Sequence, residues 1–178
     1  MVAATAALLG TRGLAGTSFT DVLAQSRAPR GSIYHHFPNG KRELVVAAVQ
    51  QTTRQILTYQ RTCTARTPAG VLDHFVELFR QSLRRSECRA GCPVAGVALN
   101  LDAGAGDLRT IVRSSFRAWT RELTRQLVAT GLPRPRARNL ALTTLASVEG
   151  ALVLSRAEGS LAPLELVARE LRRLASTG

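Results

Sequence analysis

Helical periodicity is the feature that most constrains the fold of this chain. Between glycine and proline residues, almost every segment places its apolar side chains three and four positions apart rather than in alternation. The clearest stripe follows Pro68 and consists of Val71, Leu72, Phe75, Val76, Phe79 and Leu83. We therefore predict an all-α fold of about nine helices.

Capping and breaking residues predict where these helices begin and end. Gly13 is expected to end the first helix with a left-handed backbone conformation. The hydroxyl of Thr17 or Ser18 is expected to cap the start of the second helix, which has Asp21 in its first turn. Pro29 suits the first turn of the third helix, and Gly131 and Pro133 end the long seventh one. The predicted helices span residues 2–12, 19–26, 29–36, 41–62, 68–83, 93–103, 105–130, 136–158 and 163–176.

Composition narrows the class of protein. A chain of 178 residues that is 45% apolar can bury a substantial core. The longest apolar run, residues 140–155, is shorter than a membrane-spanning helix needs and contains Glu149, so we expect a cytoplasmic protein without a transmembrane segment. The 24 Lys and Arg against 12 Asp and Glu suit a polyanionic partner, but their even spread does not locate its site.

Three cysteines without a CxxC pair do not make a disulfide framework. Cys88 and Cys92 have a CxxxC spacing that is compatible with a redox switch, with soft metal ligands, or with idle buried thiols, which we favour. Because Cys63 and His74 lie far away in the sequence, no zinc set is evident, and we expect no metal or cofactor.

Residues 17–44 carry the functional signal. A capped helix, a tight turn and a second helix predict a helix-turn-helix. The informative residues of this segment are Thr17, Asp21, Val22, Gly31, Ser32, Tyr34, His36, Phe37, Pro38, Lys41 and Leu44. In their order and spacing they resemble the DNA-binding signature of the TetR family of bacterial transcriptional regulators. The turn before Lys41 and the sequence around Cys92 look like the LmrA/YxaF-type branch of that family.

The resemblance implies a DNA-binding domain in residues 1–45 and a ligand-binding and dimerisation domain in residues 46–178. It also implies a homodimeric repressor that binds a palindromic operator and is released by a small apolar or amphipathic ligand. The alternative is a redox or metal sensor acting through Cys88 and Cys92. An enzyme is disfavoured, since no nucleophile-base pair or phosphate loop is evident.

A recognition helix needs small side chains where it meets the duplex and donors that reach bases and phosphates. Gly31 allows close approach, Ser32 can bond either a base or a phosphate, and Ile33 and Phe37 should face inward. Arg27 occupies a turn position that often needs a left-handed backbone. The predicted DNA-binding residues are Thr17, Ser18, Ala28, Arg30, Gly31, Ser32, Tyr34, His35 and Lys41.

The family's fold further implies a central cavity and a dimer formed by the last two helices. Taken alone, each aromatic residue of the predicted pocket is more typical of core. Glu149 could bond a ligand or pair with an arginine across the dimer interface. The predicted pocket residues are Phe75, Phe79, Phe116, Trp119 and Glu149; the predicted interface residues are Leu145, Val148, Leu152, Val167, Leu171 and Leu174.

Five arginines recur at every fourth position of the seventh helix: Arg109, Arg113, Arg117, Arg121 and Arg125. They could form a second nucleic-acid surface. Because no aromatic residue interleaves them as a stacking platform, we favour a solvated face.

Overall fold

The computed structural model describes residues 1–101 and 104–176, apart from the side chains of Arg30, Ile33 and Tyr34. All regular structure in these residues is helical and forms nine α-helices, which confirms the predicted fold class. They are α1 (Val2–Arg12), α2 (Phe19–Ser26), α3 (Arg30–His36), α4 (Lys41–Arg61), α5 (Pro68–Arg85), α6 (Pro93–Ala98), α7 (Gly106–Ala129), α8 (Arg134–Glu158) and α9 (Ala162–Ser176).

The largest difference from the predicted boundaries is at α6, which ends five residues early, at Ala98. The Asn100 amide N–H donates to the Val97 carbonyl, and its side-chain Nδ2 donates to the Gly96 carbonyl at 3.1 Å. These bonds close a turn in place of another helical turn. Residues 102 and 103, where the predicted helix ended, lie outside the described residues.

The chain forms two compact units. The first contains residues 1–55 and 92–116, and the second contains residues 56–91 and those from 117 on. The predicted functional boundary after residue 45 falls inside α4 and stays a prediction.

The first unit encloses a small core beneath the helix-turn-helix. Leu8, Val22 and Leu44 are buried there, and Phe19, Leu23 and Phe37 are among the partly buried side chains packed against them. The inward orientation predicted for Phe37 is confirmed. Ile33 lies outside the described side chains.

Helices α1 and α6 of this unit meet backbone to backbone. A Cβ atom on Gly96 would lie only 2.2 Å from the Leu9 carbonyl oxygen. The Gly96 carbonyl in turn accepts a hydrogen bond from the Leu14 amide at 3.3 Å. Gly13 ends α1 at φ 70° and ψ −177°, so its φ is positive as predicted, but its ψ is extended rather than left-handed helical.

The second unit packs α5 and α8 against α9. Phe75, Trp119 and Leu164 are among its fully buried side chains. Two buried glutamine side chains also make hydrogen bonds in this core. Gln60 Nε2 donates to the backbone carbonyl of Trp119 at 3.2 Å, and Gln126 Nε2 donates to the backbone carbonyl of Gln60 at 2.5 Å.

An ionic cluster connects α5 to α9 in this unit. The Arg80 guanidinium, 12% exposed, donates to both Glu165 oxygens at 2.6 and 3.1 Å and also to Glu77. Hydrogen bonds from Arg80 hold the pKa of Glu165 below its ordinary value. Burial raises the pKa of Glu77, but hydrogen bonds from Arg80 and Gln81 outweigh it and lower the pKa.

We expect Glu165→Gln to lower the free energy of unfolding at pH 7 by about 1 kcal/mol, because the pair is partly screened by solvent. The folded pKa of Glu165 is depressed, so its contribution is present above the unfolded value of about 4.3 and is lost as the pH falls through the folded pKa. Urea unfolding from pH 7 to pH 3 measures the effect. The gap between wild type and variant should close at the acid end. Glu170→Gln is the matched control, since Glu170 forms an exposed pair with Arg173 on the same helix. An equal loss in both variants, or a gap that does not close, would contradict this role.

Two surface features of the long helices bear on the sequence predictions. Helix α8 is long and apolar enough to cross a membrane by length and composition alone, but 44% of its apolar window is buried in the fold, and core helices pass the same test. The five arginines of α7 are exposed, and Arg125 pairs with Glu122 at 2.6 Å, which agrees with a solvated face.

Candidate nucleic-acid interface

A capping box fixes the start of α2. The Ser18 hydroxyl accepts a hydrogen bond from the Asp21 amide at 3.1 Å, and the Asp21 carboxylate accepts one from the Ser18 amide at 3.2 Å. Hydrogen bonds from Ser18, joined by Arg12 at 2.9 Å, lower the pKa of Asp21. A box of this kind sets the direction in which α2 leaves the preceding loop.

The turn that follows has the backbone conformation predicted for it. Arg27 ends α2 at φ 54° and ψ 27°, in the left-handed region that a side chain adopts at a cost. Ala28 is half-buried and Pro29 leads into α3, whose first turn includes a hydrogen bond from the Ser32 amide to the Pro29 carbonyl at 3.0 Å. Residues 19–36 therefore form a helix-turn-helix.

Helix α3 presents a small, polar and open surface. Gly31 is exposed, and a Cβ built on it meets nothing within 4 Å. His35 and His36 are exposed with their rings edge to face at 5.2 Å, and Ser32 is half-buried. The predicted contacts Arg30 and Tyr34 lie on the same helix, with side chains outside the described part.

Besides Ser18, whose hydroxyl is bonded to Asp21, two other predicted phosphate contacts make hydrogen bonds inside the protein. Thr17 is buried, and its hydroxyl donates to the Gly13 carbonyl at 2.7 Å. Since the side chain has no surface to offer a phosphate, we remove Thr17 from the proposed DNA contacts. Lys41 Nζ donates to the Leu14 carbonyl at 2.8 Å, which uses one of its three N–H donors and holds the start of α4 against the loop after α1.

The predicted pocket residues lie in the two units. Phe75 and Phe79 are buried in the second unit with their rings edge to face at 5.2 Å, and Trp119 is buried there as well. Glu149 is half-buried on α8. Phe116 is half-buried and belongs to the first unit. Their role as a ligand pocket stays a prediction.

Four of the six predicted dimer residues are buried within the chain itself. Leu145, Val148, Leu152 and Leu171 are at most 5% exposed, so they have almost no surface to give to a partner. Val167 is half-buried and Leu174 is 51% exposed. Of the six, only Leu174 is therefore kept in the interface proposed below.

Sequence reasoning missed the exposed apolar face of α8. On the side opposite to the buried leucines, the exposed positions are Leu142, Ala146, Gly150, Val153 and Ala157, at spacings of three or four residues. Leu142 and Val153 are 59% and 60% exposed, and Leu154 beside them and Leu166 on α9 are both 53% exposed. Because α8 is apolar on both sides, periodicity alone could not show which side faces the core.

Cys88 and Cys92 are buried thiols, and Cys63 is a half-buried one. Within residues 1–101 and 104–176, no three His, Cys, Asp or Glu side chains come together in a way that could hold a metal ion. Burial of both thiols favours structural cysteines over a sensor.

Comparison with known proteins agrees with this geometry. A family model described as bacterial regulatory proteins, tetR family, matches residues 1–48, and a model described as the C-terminal domain of LmrA/YxaF-like transcriptional regulators matches residues 68–170. An uncharacterized HTH-type transcriptional regulator of Mycobacterium tuberculosis is 36% identical over 98% of this chain and 91% of its own length. The HTH-type transcriptional regulator LmrA of Bacillus subtilis is 27% identical over 92% of this chain and 88% of its own length.

The fold itself is shared with solved structures. A TetR transcriptional regulator from Legionella pneumophila superposes with a TM-score of 0.89 at 22% identity, over 98% of this chain and 95% of that one. This chain therefore belongs to the TetR family of DNA-binding transcriptional regulators, in the branch with an LmrA/YxaF-like C-terminal domain, as shown by its helix-turn-helix, the two matching family models and the relative that is 36% identical over 98% of the chain.

Proposed function

We propose that this protein is a cytoplasmic repressor that binds a palindromic operator as a homodimer and leaves it when a small ligand binds. The observation that carries the proposal is α3, which follows a capped helix and presents an open glycine beside exposed polar residues. Such a surface suits entry into the major groove, where short side chains permit close approach.

The proposed DNA contacts divide by role. To the bases and the groove walls we assign Arg30, Gly31, Ser32, Tyr34 and His35 of α3, with Ala28 at the turn before them. Lys41, with two remaining N–H donors, would contact a flanking phosphate, and so would Ser18 at the start of α2 once its hydroxyl exchanges Asp21 for the phosphate. Phosphate contacts fix the register of the helix, whereas base contacts select the sequence.

The proposed dimer interface is the exposed apolar face of α8 together with Leu154, Leu166 and Leu174. Soluble monomers rarely expose several leucine and valine side chains together on adjacent helices, so this surface is typical of one that binds a partner. Operator binding by a two-fold dimer requires two copies of α3 about 34 to 36 Å apart, one turn of the duplex. The operator would then be palindromic.

We expect Val153→Arg to weaken dimerisation at least ~100-fold, since it places a charge at the centre of a surface that must lose its water. Sedimentation velocity measures the change as a shift from twice the chain mass of 19.1 kDa toward a single chain. A footprint on operator DNA should shrink or disappear at the same protein concentration, because one protomer contacts only half of the site.

Leu99→Arg is the matched control for Val153→Arg. Leu99 is 82% exposed, lies outside α8 and α9, and gains the same charge. It should leave both the dimer and the footprint unchanged. A wild-type protein that sediments as a single chain, or a Val153→Arg variant that stays dimeric, would contradict the proposed interface.

For the effector we propose an apolar or amphipathic molecule that binds in the second unit near Phe75, Phe79, Trp119 and Glu149. Aromatic walls with one carboxylate suit a ligand that is mostly apolar and has one hydrogen-bond donor. Such a ligand releases DNA only if it binds the form that does not fit the operator more tightly than the form that does. Trp119 supplies an intrinsic fluorescence signal for screening.

A further inference from the structure

A polar cleft lies in the second unit, and its lining does not include the buried aromatic residues Phe75, Phe79 and Trp119. It has a volume of about 590 Å³, and its walls come from the end of α4, one side of α5 and α9. This volume is within the range of sites for small organic molecules. The cleft is lined by charged side chains and two aromatic rings, in contrast to the apolar effector site proposed above.

Most charges in the cleft are already paired with one another. Arg80 is held by Glu77 and Glu165, and Arg172 Nε donates to Asp73 Oδ1 at 2.7 Å. All three acidic side chains of the lining thus have arginine partners. A cationic ligand would have to displace one of these arginines.

The groups left available are donors. Arg84 lines the cleft and is exposed. Within the described residues its guanidinium makes no hydrogen bond or ion pair, and its charge acts only at longer range, helping to lower the pKa of Glu77 and of Glu165. The Tyr59 hydroxyl also has no hydrogen-bond partner in that part of the chain. Burial first, and then the nearby Glu77, raise the pKa of Tyr59, so the phenol keeps its proton. Together these groups suit an anionic ligand with acceptor oxygens.

Two stacked aromatic rings form one wall of the cleft. The rings of Tyr59 and His74 are stacked with centroids 4.4 Å apart and planes 11° apart. His74 Nε2 lies 3.0 Å from the Tyr59 carbonyl oxygen, which it meets as a donor, so the imidazole is fixed against α4. A rigid pair of parallel rings offers a planar molecule an apolar surface beside the Arg84 guanidinium.

We propose that this cleft is a second small-molecule site, which binds a planar aromatic carboxylate with its ring against Tyr59 and His74 and its carboxylate on Arg84. The site lies within one unit and uses no residue of the DNA-binding helices or of the proposed effector site. Its occupation can be measured by binding alone.

Isothermal titration of the full-length protein with 2-naphthoate tests the proposal, and 2-naphthamide serves as a neutral probe of nearly the same shape. Wild type should bind the naphthoate at least tenfold more tightly than the amide. Arg84→Gln should weaken naphthoate binding at least tenfold, because the guanidinium carries the charge recognition. Arg85→Gln should not, since this neighbouring exposed arginine does not line the cleft. Both substitutions are on the surface and leave the core untouched.

The proposal is overturned if wild type binds neither probe at millimolar concentration, or binds both equally. It is overturned as well if Arg84→Gln binds naphthoate like wild type. In that last case, quenching of Trp119 fluorescence would place the naphthoate among the buried aromatic residues instead.

Discussion

Gly31→Glu is expected to abolish specific DNA binding while the protein stays folded. The glycine is exposed on α3, and an added Cβ meets nothing within 4 Å, so the fold has room for a side chain. Glutamate also forms helices better than glycine does, so the melting temperature should be unchanged or slightly raised. In the proposed complex, however, the same position would face the phosphates of the groove, where like charges cost several kcal/mol.

We therefore expect the affinity for operator DNA to fall at least ~100-fold in fluorescence anisotropy at a fixed salt concentration. Thr58→Glu is the matched control, since it adds the same charge at an exposed position of α4 in the second unit. It should lower the affinity by much less. Unchanged DNA binding by Gly31→Glu would mean that α3 does not enter the groove.

Gly96→Ala is expected to destabilise the fold, because the close packing of α6 on α1 leaves no room for a side chain at this glycine. The new Cβ would lie 2.2 Å from the Leu9 carbonyl oxygen and 3.1 Å from its carbon, both backbone atoms that cannot rotate away. Helix α6 must then separate from α1, which also strains the hydrogen bond from the Leu14 amide to the Gly96 carbonyl. Overpacking of this kind costs about 3 kcal/mol, which corresponds to a fall of roughly 6 to 12 °C in melting temperature for a chain of this length.

Thermal unfolding followed by circular dichroism measures this loss, with Gly31→Ala as control. Both substitutions add one methyl group to a helical glycine of the first unit, but only the one at Gly96 meets another backbone. We also expect weaker DNA binding by Gly96→Ala, since α1 contributes Leu8 to the core of the helix-turn-helix. If Gly96→Ala melts at the wild-type temperature, α1 and α6 cannot be as close as described.

The helices could be predicted from sequence where local chemistry alone decides them. Ser18 with Asp21 makes a capping box, Pro68 and Pro93 start α5 and α6, and Gly159 ends α8 with a left-handed backbone. Each of these signals acts within about four residues. The end of α6 was missed: the hydrogen bond from the Asn100 side chain to the Gly96 carbonyl is local, but that carbonyl also accepts from the distant Leu14 amide, which no local pattern shows.

The candidate site could be predicted only in part, because side-chain orientation depends on tertiary packing. Thr17 has a residue type suited to phosphate, but the loop after α1 turns its hydroxyl toward Gly13. On α8, both sides are apolar, and only the packing of α5 and α9 decides that Val148 is buried and Val153 exposed. The cleft beside Arg84 joins residues far apart in the chain, which no local pattern reveals.

The most direct test of the central claim is DNA binding across a salt series. Wild-type protein would be titrated against the DNA upstream of its own gene and against a scrambled duplex, from about 50 to 200 mM salt. We expect steep salt dependence on both duplexes and ~1,000-fold tighter binding to the upstream DNA. Arg30→Ala and Tyr34→Ala should each reduce that preference at least tenfold. Equal binding to the two duplexes by wild type, unchanged in both variants, would contradict the assignment of α3 as a recognition helix.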